Sequence, residues 1–144
     1  MRFRVVSSKN EILDLNQNER MVHLAFRPSN MDFLKLMESC PRLRAVQIPP
    51  SYNKTMSKAI KLFLEMQGIE LLEGDVWGHR KDIDEYFIVD EDAIDKIGSL
   101  VSKGDSIEET TAEVQKATRM APDLIRFIAK TKTVSYTHLR AHET

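Results

Sequence analysis

The sequence predicts an α/β fold: a small parallel sheet built from βα units, followed by a C-terminal segment of three helices. Three observations carry this expectation. Short apolar runs alternate with helix-patterned segments through residues 1–90. The apolar positions of those runs fall into one alternating register. From Glu91 onward only helical periodicity remains. The domains expected are therefore residues 1–90, the α/β half, and residues 91–133, the helical half.

The strand candidates are residues 3–6, 22–26, 46–48 and 69–72, each short and rich in aliphatic or β-branched side chains. Aligning Val22, Val46 and Ile69 also aligns Leu24, Ile48 and Leu71, and Phe3 and Val5 fit the same frame. Arg4, His23, Gln47 and Glu70 then occupy the alternate positions. One face of the sheet is thus apolar and the other partly polar, as when helices cover one side only. His23 reads as a semi-buried imidazole satisfied by Gln47 or Glu70.

The first crossover, residues 11–15, is barely more than a turn. Ser29 and Asp32 form a capping-box pattern that opens a helix over residues 30–39, with Phe33, Leu34, Leu36 and Met37 on one side. Ser51 is the expected cap of a continuous helix over residues 52–67, stopped by Gly68. Residues 75–85, rich in charge and glycine, read as a hinge, and residues 86–89 as a short edge strand. Gly104 closes the first C-terminal helix, Ser106 and Glu109 cap the second, and Pro122 opens the third.

With 42% hydrophobic and 30% charged residues the chain has the makeup of a folded domain rather than a disordered one. A net charge of −1 excludes a chain-wide attraction to nucleic acid or to an anionic membrane, while leaving room for a local basic patch. The single cysteine, Cys40, cannot form an internal disulfide and reads as a small half-buried residue at a helix end. No apolar run is long enough to span a membrane, and the start of the chain is too charged for a signal peptide. A cytoplasmic location is the expectation.

Parallel strands gather their exit loops along one edge, where ligands of open α/β sheets usually bind. Those loops carry Arg27, Ser29, Ser51, His79, Arg80 and Lys81, a set able to hold a phosphate or a carboxylate. A non-catalytic binding or regulatory module for a small anionic ligand is accordingly the leading functional reading, with no cofactor and no metal called for. Against it stands the ordinary use of such residues, serines as helix caps and arginines as solvated loop residues. The competing class is a small enzyme using His79 with Glu73 or Asp75 as acid–base groups, although Cys and His show no metal-ligand spacing.

The C-terminal segment supports a second reading. Its last two helices resemble a helix-turn-helix whose final helix displays Arg126, Lys130 and Lys132, with Arg119 just ahead. Such a helix in a major groove would place cations on phosphates. The pattern departs from the compact motif: the middle helix is long, the turn lacks glycine, and Glu108, Glu109 and Glu113 would repel a phosphate backbone.

Residues 5–8, 22–30, 72–82 and 119–128 resemble a family of short proteins from methanogenic archaea, carried as a domain of unknown function. The resemblance implies an archaeal, cytoplasmic origin and two halves that belong together, and it supplies no catalytic residues. Residues 134–144, Val-Ser-Tyr-Thr-His-Leu-Arg-Ala-His-Glu-Thr, resemble one reading frame of a sequencing-library adapter. They are set aside as a non-native tail. His138 and His142 therefore carry no metal-site argument.

Overall fold

Parallel pairing of chain neighbours needs a crossover after every strand, and the short helical segments between the apolar runs supply one each time. The computed structural model describes residues 1–76 and 84–143, with side chains up to Thr133. Among these residues the sheet has five strands: β1 (Arg2–Val6), β2 (Met21–Leu24), β3 (Ala45–Ile48), β4 (Glu70–Glu73) and β5 (Tyr86–Ile88), in the order β4-β3-β2-β1-β5. β1 to β4 are mutually parallel, and β5 closes the edge antiparallel to β1.

The connections are a 3-10 turn (Lys9–Asp14), helix α1 (Asn30–Ser39), and the pair α2 (Pro50–Asn53) and α3 (Lys58–Met66). All three contribute to one core. Ile12, Phe33, Leu36, Ile60 and Leu64 pack with Val6, Val22, Leu24, Val46 and Ile48. One face of the sheet therefore carries every crossover, as the alternating pattern implies.

Two expectations need correction. The register of β1 is shifted by one residue: Arg4 pairs with Val22 and Val6 with Leu24. Phe3 and Val5 therefore lie on the face of His23 and Gln47, not on the face of Val22. Phe3, Arg4, Val5 and Val6 are all buried, so alternation does not reveal which pair faces the crossovers. Val46 also pairs with Leu71 rather than Ile69, a two-residue slip that keeps the face.

Residues 52–67 are likewise not one helix. Ser57, extended at φ −69° and ψ 146°, caps α3 by accepting from the Ile60 N–H. Ser51 caps nothing: α2 follows Pro49 with Pro50 in its first turn and has no side-chain cap. Gly68, at φ +74°, ends this region in a backbone conformation that side chains resist.

The chain divides into two compact units, Met1–Ile88 and Val89–Thr144. In the second, α4 (Glu91–Ser102), α5 (Ile107–Ala117) and α6 (Pro122–Glu143) pack pairwise. Asp90 caps α4 through the Asp92 N–H, and Ser106 with Glu109 forms the expected capping box on α5. Ile97, Val114, Ile125 and Ile128 are fully buried. Among the described residues no helix is long and apolar enough to cross a membrane.

Candidate functional site

Because β1 to β4 run the same way, their exit loops share one edge of the sheet. Arg27, exposed just beyond β2, reaches toward the segment that follows β3. Its guanidinium donates to Thr55 Oγ1 at 2.6 Å and lies 5.1 Å from the centre of the Tyr52 ring. Next to it, Asn53 Nδ2 donates to Glu73 Oε2 at 2.7 Å, joining the same segment to the end of β4. Among the described residues Asn53 Oδ1 is buried without a partner. Tyr52, Asn53 and Thr55 were not among the sequence candidates. Nothing in their types marks them, since the kink that brings them to Arg27 lies where a continuous helix is expected.

The other candidates on this edge are differently employed. Ser29 is committed to capping α1: its hydroxyl accepts from the Asp32 N–H at 3.2 Å, while the Asp32 carboxylate accepts from the Ser29 N–H at 2.9 Å. Glu11 does the same beyond β1, taking the N–H groups of Ser7 and Ser8. The Ser7, Ser8 and Ser29 N–H groups at these two turns are thus taken by the chain's own carboxylates. Ser51 is exposed on α2. His79, Arg80 and Lys81 lie outside the described residues, as do Trp77 and most of the expected hinge. Of the acid–base partners proposed for His79, Glu73 is half-buried on Asn53 and Asp75 is exposed. Among the described residues no cluster of three or more His, Cys, Asp or Glu is placed to hold a metal ion.

A second polar cluster joins β1, the segment before β2, and the start of β5. Buried Glu19 accepts from Tyr86 Oη at 2.5 Å, Arg4 donates to Glu85 at 3.0 Å, and Arg2 lies 4.1 Å over the Tyr86 ring. Burial, with the nearby Glu19 carboxylate, pushes the Cys40 thiol up to about 11. The hydrogen bond to Glu19 raises Tyr86 as well. On the opposite face His23 Nδ1 lies 2.9 Å from Gln47 Oε1, both residues fully buried, so the imidazole is satisfied by Gln47 as expected.

In the second unit, α6 buries Leu124, Ile125, Ile128 and Ala129, which turns Asp123, Arg126, Phe127 and Lys130 to the opposite side. Arg119 is exposed in the turn before α6. Arg126 is held by two carboxylates, Glu108 Oε1 at 3.3 Å and Asp123 Oδ1 at 3.1 Å. Lys132 falls elsewhere, its aliphatic stem lying beside Gly98 on α4. Of the expected cations, Arg126 and Lys130 share the outward side of α6, and Arg119 is exposed in the turn that precedes it.

These features define a two-unit protein: a parallel-sheet unit with helices on one face, then a three-helix unit built like a helix-turn-helix. Residues 2–85 match the family of unknown function DUF1699, N-terminal domain, and residues 92–130 match the same family's C-terminal HTH domain. The chain belongs to this family. No curated protein and no solved structure matches it.

Proposed function

We propose that the chain is a non-catalytic regulatory protein that binds nucleic acid through α6, with Arg119, Arg126 and Lys130 as its contact residues. The observation that carries this reading is the three-helix unit, in which α6 turns Arg126 and Lys130 away from its core and Arg119 is exposed in the turn that leads into it. Its match to a helix-turn-helix family domain supports the same reading. The Arg126 pairs are surface pairs, worth about 0–1 kcal/mol each, so a phosphate or guanine edge can displace Glu108 and Asp123 at little cost. The unit carries more carboxylates than cations, which keeps non-specific affinity low and places the burden of recognition on this face. The test is fluorescence anisotropy with duplex DNA and RNA across a salt series. Affinity is expected to fall steeply with salt; R119A/K130A reduces the log–log slope by roughly two, and E108Q tightens binding. Flat salt dependence, or variants that bind like the wild type, rejects the reading.

The contact of Arg27 with Tyr52 and Thr55 favours a second role, a small anion held by Arg27 at the strand exits. Inorganic phosphate and nucleotides should then raise Tm in the wild type and not in R27A. Equal shifts in both proteins dispose of it. A cytoplasmic setting in a methanogenic archaeon and an adapter origin for residues 134–144 belong to the same reading, and every proposed contact precedes that segment.

A further inference from the structure

α3 is apolar on both sides. Ile60 and Leu64 are buried in the core, while Leu62 and Met66 are 57% and 72% exposed, and Phe63 is 37% exposed. With Ala59 these residues recur at i, i+3, i+4 and i+7, which makes one continuous stripe along the outer side of the helix. Burying such a stripe is the main driving force of association, and isolated apolar residues would not align in this way. α1 repeats the feature, with Met31 58% and Leu34 42% exposed. The two helices begin side by side, since Ser57 Oγ, at the cap of α3, donates to Asn30 Oδ1 at the start of α1.

The charges beside the stripe indicate what covers it. At helical spacing Lys58, Lys61 and Glu65 fall along one flank of Leu62, cations toward the N-terminus and the carboxylate toward the C-terminus. When two such helices pack face to face and antiparallel about a two-fold axis, each flank meets its own copy reversed. Lys58 and Lys61 then oppose the Glu65 of the other copy, and the apolar stripes oppose each other. A parallel pair would instead set the charged flank against the apolar one. The surface is its own complement in the antiparallel arrangement.

We propose that the chain forms a two-fold symmetric homodimer through antiparallel packing of α3 on α3, with Leu62 and Met66 at its centre. This inference is independent of what the C-terminal unit binds.

Sedimentation velocity on the full chain over a micromolar concentration series tests it. The wild type is expected to sediment as a dimer that dissociates on dilution. L62D/M66D is expected to be monomeric with an unchanged far-UV spectrum, and with the Tm that the wild type shows at dilutions where it too is monomeric, because both side chains are exposed in the single chain. E65K alone and K58E/K61E alone should each weaken the dimer more than about tenfold, and an equimolar mixture of the two should restore it, since only antiparallel pairing then matches opposite charges. A wild type that stays monomeric throughout, a dimer that survives L62D/M66D, or a mixture no tighter than its components overturns the proposal.

Discussion

Cys40 and Tyr86 give the residue scale its clearest consequence, because both hold their protons more tightly in the folded chain than an exposed group would. Burial, reinforced by Glu19, lifts the thiol from 9.0 to about 11. Between these values the unfolded chain has lost the thiol proton and the folded chain has kept it, so rising pH favours unfolding. Tyr86, raised by its bond to Glu19, acts in the same direction. The Tm of the wild type is therefore expected to fall from pH 9 to 11 more steeply than that of C40A or Y86F; parallel curves would show that neither proton contributes. At this scale the sequence was partly legible. Gln47 as the partner of His23 follows from alternation along neighbouring strands. The Glu19–Tyr86 bond spans 67 residues, and no local pattern connects them. Arg27 was readable as a loop cation, but its partners Tyr52 and Thr55 depend on a kink that periodicity hides.

That kink belongs to the scale of elements. Met56, Ile60, Phe63 and Leu64 keep helical spacing across a break, so the pattern alone describes one helix where the chain builds two. What decides the boundary is a single cap. Ser57→Ala is expected to lower stability by about 1 kcal/mol in urea unfolding, whereas Ser51→Ala should be neutral because that hydroxyl caps nothing. The reverse ranking would restore the single helix. α1 was legible to the residue because Ser29 and Asp32 satisfy each other's backbone donors, and α5 for the same reason through Ser106 and Glu109. The register of β1 was not, since both of its faces are buried and apolar alternation loses its meaning there. Arg4 occupies a core-facing position with Glu85, just ahead of β5, and the Tyr86 ring beside it.

At the scale of the whole molecule, the order of elements carried the architecture. Strand and crossover alternate until β4, β5 turns back along β1, and three helices form a unit of their own. The parallel direction of β1 to β4, on which the shared edge of exit loops depends, is present. The candidate sites were less legible than the fold. Residue type identifies a cation, but only the packing of α6 separates Lys130 from Lys132, and only geometry reveals that Glu108 and Asp123 already hold Arg126. That face is the proposed nucleic-acid surface. Amide chemical-shift mapping of the isotopically labelled chain, titrated with a duplex oligonucleotide at low salt, tests it most directly. The predicted result is a contiguous set of shifts from Arg119 through Lys130 that salt reverses. Shifts confined to the strand exits around Arg27, or none at saturating duplex, would contradict it.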